Sequence, residues 1–407
     1  MFKYLRARSF TGAKITGSVI PLTLLFLLIE FFDELNYGIE GAVLPAMRAD
    51  LALTYAQVGL LLGLPKVINI FIEPILMLLG DTRYRKHLVV GGGLTIVLAM
   101  LMIGGATSFL ALLVAFVVSY PASGAFVTLV QATLMDLNPG REPQMMARWT
   151  VAGSLGNLVG PLLVAGGFAL ALGWRWPFFM LAALALVLIA LVLTRQFPTP
   201  GMSEETQADK NSGAGARELL GYALEALRNQ KLLRWLGLLE MSDLLLDVFI
   251  GYVALYFADV VGLSQAQVAL LLGVLMLTGL AADLVLIPLL ERLPGRRVVR
   301  FSAAFVAVIY PLWLLSPWPW AKVLLAVVLR FSTLGWYQVM QGEAYASMPG
   351  RSGTVMALNS LAGVLGGALA WFIGLAAERV GLQTAMWLLL LGPVCLALFV
   401  PRPNSPE

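Results

Sequence analysis

Cysteine and histidine are nearly absent from this chain, and charge is scarce. The one cysteine, Cys395, has no second thiol to pair with, so cysteine usage leaves the redox compartment open. The one histidine, His87, excludes a histidine-rich metal site, and no metal or other cofactor is expected. Only 12% of the 407 residues are charged, against about 25% in a soluble domain. No Gly-x-x-x-x-Gly-Lys-Ser/Thr occurs, which argues against an ATP-driven pump. No Asn-x-Ser/Thr sequon occurs, which suits a bacterial chain. No cleavable leader is expected, because the basic start (Lys3, Arg6, Arg8, Lys14) runs into a helix too polar and too long for one. Nothing suggests an enzyme or nucleic-acid binding.

What is present is hydrocarbon. Hydrophobic residues make up 59% of the chain, and the mean hydropathy is +0.86. Most apolar runs approach the ~20 residues that cross about 30 Å of hydrocarbon. The short alternating segments of outer-membrane barrels are absent. The chain reads as an all-α membrane protein with twelve spans, near 15–46, 53–79, 87–106, 109–135, 145–171, 175–195, 232–258, 265–290, 298–316, 320–346, 352–377 and 383–400. Three parts are expected: a six-helix bundle over 1–195, a linker over 196–230, and a second six-helix bundle over 231–407. The linker is polar and rich in Gly and Ser, a composition that cannot bury a core. Its end, Arg217 to Asn229, places Leu220, Leu224 and Leu227 on one face, as in a short surface helix.

Ile29 to Pro45 is the most informative stretch. It carries Glu30, Asp33, Glu34 and Glu40 inside an apolar run. On a helix, Glu30, Asp33, Glu34 and Tyr37 share one face. A shift of 210 residues aligns Glu30 with Glu240, Asp33 with Asp243, Gly41 with Gly251 and Glu73 with Asp283. The same shift, without gaps, aligns Ala56-Gln57-Val58 with Ala266-Gln267-Val268, Gln131 with Gln341, and Pro139-Gly140-Arg141 with Pro349-Gly350-Arg351. A constant offset through matched polar, Gly and Pro positions marks a parallel internal repeat of two halves.

Lys and Arg set the expected orientation. With both termini cytoplasmic, 21 of the 27 basic residues fall in cytoplasmic segments. Four fall outside (Arg48, Arg175, Lys322, Arg379), and Lys66 and Arg330 lie within spans. That asymmetry is the positive-inside pattern, and the expected location is a bacterial inner membrane.

The repeat, the linker and two motifs resemble the major facilitator superfamily over nearly the whole chain. The resemblance implies two six-helix halves and transport of a small molecule. The family's loop between its second and third helices usually reads Gly-x-x-x-Asp-Arg-x-Gly-Arg-Arg/Lys. Asp81, Arg85 and Lys86 fit it, while Met77, Thr82 and Tyr84 depart. Glu291 to Arg297, with Arg296, is the second copy with one extra residue. These charges read either as the family's cytoplasmic latch or as plain positive-inside loop charge. Gly153-Ser-Leu-Gly156-Asn-Leu-Val-Gly160-Pro161, followed by Gly166-Gly167, is similar to the motif of the family's drug and metabolite exporters. Small residues four apart let helices approach closely, and Pro161 removes a backbone hydrogen bond. The expected gating set is Asp81, Arg85, Lys86, Arg141, Gly156, Gly160, Pro161, Glu291, Arg296, Arg297 and Arg351.

A charge at mid-bilayer costs roughly 2.5–3.5 kcal/mol on insertion scales, so such residues should face water, partners or cargo. The expected substrate and proton pathway is Glu30, Asp33, Glu34, Tyr37, Lys66, Glu73, Gln131, Glu240, Asp243, Asp283, Arg330, Tyr337 and Gln341. Glu40, Asp136, Asp247 and Glu343 read instead as gating ion pairs or interfacial charges. Arg330 is expected to pair with a carboxylate across the cavity, Asp33 or Asp243 first. The acids suit a cationic or zwitterionic amphiphile exported in exchange for protons, or for sodium ions. The alternatives are uptake, lipid movement, or a non-transporting receptor or scaffold on the same fold. The protein is expected to be a monomer in the bilayer. Reporter fusions at both termini and within 198–216 should all score as cytoplasmic; a periplasmic score at the linker would break the twelve-span count.

Overall fold

The computed structural model describes residues 21–80, 84–138, 142–195, 228–347 and 352–402, and among these there is no strand. Twelve rods follow in order. The first six are α1 (Leu22–Asp50), α2 (Tyr55–Gly80), α3 (Arg85–Gly104), α4 (Phe109–Ser123, continued as Leu129–Asp136), α5 (Glu142–Ala169) and α6 (Trp176–Leu193). The second six are α7 (Gln230–Asp243, continued as Phe249–Leu255), α8 (Gln265–Arg292), α9 (Gly295–Leu315), α10 (Pro319–Ser332, continued as Trp336–Ala346), α11 (Ser352–Val380) and α12 (Leu382–Ala385, continued as Leu391–Phe399). Nine spans among the described residues are long and apolar enough to cross a membrane. α1 is not one of them, and it carries four carboxylates between Glu30 and Glu40. The linker's expected surface helix lies outside the described residues.

Within the first six, α1 packs on α5, and α3 packs against α4 and α6; within the last six, α7 packs on α10 and α12, and α9 against α10 and α12. The two sets meet where α2 crosses α11 and where α5 crosses α8. Shifted by 210, α2 becomes α8 and α5 becomes α11. The two contacts are therefore one contact repeated about a two-fold axis.

Glycines make these crossings possible. A Cβ on Gly156 would collide with the Phe31 carbonyl, and one on Gly160 would sit 2.8 Å from the Ile39 amide nitrogen. α1 and α5 thus touch backbone to backbone, as the exporter-type spacing implies. Gly63 of α2 meets the Gly367 carbonyl of α11 in the same way.

Regular helix fails at matched places. α4 loosens into a π turn over Gly124–Thr128, and α10 breaks at Thr333 to Gly335, where Gly335 has φ of 75°. These are counterparts under the 210 shift. α7 carries π turns over Leu244–Val248 and Tyr256–Val260. Irregular backbone at membrane depth is tolerated where it lines a cavity or is buried in protein.

Lys322 departs from its reading as an outer loop charge. It is buried, and its ammonium donates to Tyr256 Oη at 2.7 Å and to the Trp313 and Leu314 carbonyls at 3.0 and 2.9 Å. Those carbonyls end α9, so the side chain caps that helix within an aromatic box of Tyr256, Trp313 and Tyr310. The positive end of a lysine at a helix C-terminus is favourable.

Gly156→Ala should lower stability by about 1–3 kcal/mol because the α1–α5 contact must open. Gly166→Ala, which meets nothing within 4 Å, should be neutral or slightly stabilising. Thermal unfolding of the two purified variants checks the contrast.

Candidate functional site

The centre of the molecule is a contact between a residue and its own repeat counterpart. Tyr37 Oη on α1 donates to Asp247 Oδ1 on α7 at 2.8 Å. A pair separated by the repeat offset lies on the two-fold axis. Lys66 of α2 donates to the other oxygen of Asp247, forming an ion pair between the two six-helix sets. The cavity around this contact is symmetric: Tyr37 and Asp247, Gly38 and Val248, Glu40 and Ile250, Leu62 and Leu272, and Lys66 and Met276 all line it as counterparts.

Two further pockets flank it. The first lies among α1, α2, α3 and α4 and encloses about 250 Å³; the second lies among α7, α8 and α10 and encloses about 230 Å³. Nine of the eleven residues lining the second are counterparts of residues lining the first. Asp33, Glu73, Tyr120 and Ser123 become Asp243, Asp283, Arg330 and Thr333. In the first pocket Ser123 donates to Asp33 at 2.7 Å, Asn69 to Glu73 at 2.9 Å and Asn36 to Glu40 at 2.9 Å. In the second, Gln338 donates to Asp283 at 3.0 Å, and Tyr337 completes the wall. Asp33, Glu40, Glu73 and Asp283 are thus each held by a neutral donor.

Arg330 corrects one expectation. It does not face Asp33, which lines the other pocket. It shares its own pocket with Asp243 and Asp283. Gly279 makes room for the guanidinium, because a Cβ there would come 2.5 Å from Nη2. The Nε is buried and has no hydrogen-bond partner.

The remaining acids of the expected pathway sit in helix seams rather than in these three cavities. Glu30 and Glu240 are 8% and 4% exposed. Glu30 packs on Gly153 of α5 and Glu240 on Gly366 of α11. Glu34 accepts from Asn157 of α5 at 3.1 Å. Gln341 buries an oxygen without a partner, and Gln131 lies outside the three cavity linings.

The polar contacts at the two ends of the molecule differ, and the described charged residues of the expected gating set all lie at the end that carries the termini. At the end that carries the 51–54 loop, Arg48 meets Asp259 at 2.8 Å and stacks over Tyr55 at 4.0 Å. Tyr55 Oη donates to Asp259 at 2.9 Å, and its amide donates to Glu378 at 2.9 Å. These bonds join the two six-helix sets. At the end that carries the termini, the described bonds stay within one set. Arg85 donates to the Gly80 carbonyl at 2.7 Å, Lys86 to the Leu193 carbonyl at 3.0 Å, and Arg296 grips Glu343 at 2.6 and 2.7 Å. Arg297 is exposed. Asp81, Arg141 and Arg351, and the side chain of Glu291, lie outside the described residues. Sequence reasoning left Asp259, Tyr55 and Glu378 unassigned and kept Asp247 out of the pathway. The available signal was that Asp247 is the counterpart of Tyr37.

The family model of the Major Facilitator Superfamily matches residues 26–371. The chain belongs to that superfamily. It is a multi-pass membrane transporter. No curated protein matches the chain. Solved structures share the fold. A bacterial homologue of the human lysosomal transporter Spinster, inward-facing and unoccupied, aligns with a TM-score of 0.76 at 16% identity, covering 93% of this chain and 95% of that one. The nucleoside transporter NupG aligns at 0.73 and 15%, covering 93% and 98%. A peptide transporter of the POT group, in complex with sulfate, aligns at 0.69 and 15%, covering 92% and 93%.

Arg330→Ala should destabilise this transporter, and adding Asp283→Asn should recover part of the loss. The coupling in the double-mutant cycle is expected at about 0.5–3 kcal/mol, read from thermal unfolding. Additive losses with Asp283→Asn, or recovery with Asp33→Asn instead, would reject the assignment.

Proposed function

We propose that the protein exports a cationic or zwitterionic amphiphile in exchange for protons, by alternating access about the central cavity. The single observation behind this reading is the on-axis contact of Tyr37, Asp247 and Lys66, flanked by acid-lined pockets. Sites in such carriers sit at the midplane between the repeats. The six-helix units over 1–195 and 231–407 rock against each other, and the linker over 196–230 tethers them. With cytoplasmic termini, the end latched by Arg48, Asp259 and Glu378 faces outward.

Glu40, Asp33 and Glu73 near one another cannot all stay ionised cheaply, because like charges disfavour each other's ionisation. Cationic cargo and protons then compete for the same carboxylates, which is sufficient for exchange. Among the described residues Asp33 has the Ser123 hydroxyl as its partner and no ion pair, which leaves it free to take a proton.

Asp33→Asn should abolish movement of cargo driven by a proton gradient, while folding and passive exchange persist. Inverted vesicles with an imposed pH gradient provide the assay. Undiminished gradient-driven movement would move the coupling role to Glu73 and Asp283. Accumulation in the opposite direction would identify uptake.

A further inference from the structure

The symmetry of the central cavity is broken in charge where its counterparts differ in kind. Lys66 on α2 and Met276 on α8 are counterparts, so only one wall carries a cation. Its ammonium reaches across the axis to one oxygen of Asp247, while Tyr37 holds the other at 2.8 Å. Asp247 lies in a π turn over Leu244–Val248, a device frequent at functional sites. Lys66 is a point charge on a flexible four-carbon stem. The remaining lining is largely apolar, with Leu44, Leu62, Phe116, Leu272 and Met276.

We propose that Asp247 and Tyr37 form the ammonium subsite for cargo, that Lys66 fills it as a tethered stand-in while the carrier is empty, and that cargo enters by displacing Lys66. This rests on the transport reading above and names the cargo class: a primary or secondary ammonium on an apolar body. The exchange conserves charge pairing. Lys66 also lines the first pocket beside Glu40 and Glu73, so the displaced ammonium moves to carboxylates already present. Asp247 is never left bare at mid-membrane, where an unpaired charge is costly. Tyr37 already donates its proton to Asp247, so the arriving cation must bring its own N–H to the free oxygen.

The test is thermal unfolding of the full-length purified protein, titrated with 2-phenylethylammonium at constant pH and ionic strength, since a ligand of the folded state raises apparent stability. Lys66→Ala vacates the subsite and should respond at about a tenfold lower concentration than the unaltered protein. Lys66→Met, which reproduces the opposite wall, should respond in the same way and serves if the alanine variant does not fold. The N,N,N-trimethyl analogue, lacking an N–H, should shift none of them. Adding Asp247→Asn should abolish the response. Equal response with and without Lys66, or a response that survives Asp247→Asn, would overturn the proposal. Transport by proteoliposomes separates the two readings. Binding as expected without any counterflow of the probe refutes transport and leaves the subsite standing. Counterflow that survives Asp247→Asn refutes the subsite and leaves transport standing.

Discussion

A charge within hydrocarbon must find a partner, and in this carrier the partner of the central one lies across the molecule. Lys66 belongs to the first six helices and Asp247 to the last six. Their pairing, with Tyr37 completing the shell of Asp247, holds the two sets in register at mid-depth. The bare glycine surfaces of α2 and α11 let the helices close far enough for a lysine to span the gap. Arg48, Tyr55 and Glu378 then join the two sets at the end that carries the 51–54 loop. A membrane protein gains little from apolar contact between helices, because lipid is equally apolar. Close backbone packing and a few polar bonds across the interface carry the association.

The same constraint explains the irregular helices. Asp247 lies inside a π turn, and the wall formed by Arg330 and Tyr337 is interrupted at Gly335. Both departures from helix occur where side chains must be re-aimed toward a polar cavity. Gly124 begins the equivalent loosening in α4, opposite Glu73. Evolution of a duplicated unit has kept the place of the defect while changing its form.

Much of this was legible in the residues. The repeat offset locates the axis, because Tyr37 and Asp247 stand 210 apart, and it pairs Asp33 with Asp243 and Glu73 with Asp283. The Gly-rich run of α5 announced a close helix contact, which Gly156 makes with Phe31. Other features were hidden. Helical periodicity places Glu30 on one face with Asp33, yet the roughly 60° that separates positions three apart turns it to the α5 seam, where it packs on Gly153. The partner of Arg330 depends on the relative rotation of α8 and α10, which no single helix encodes. Lys322 looked like an outer loop charge because hydropathy counts side chains without regard to where a long stem can fold; the ammonium turns back onto the end of α9.

The exchange of Glu40 for Ile250, and of Lys66 for Met276, bears on how many ways a guest can lie in the centre. A cavity with an intact two-fold axis presents every unsymmetrical molecule with two equivalent poses, head toward either wall. Two substitutions in a duplicated scaffold remove that degeneracy. The guest then has a head end and a tail end within the protein, so each stage of the rocking cycle meets it in the same orientation.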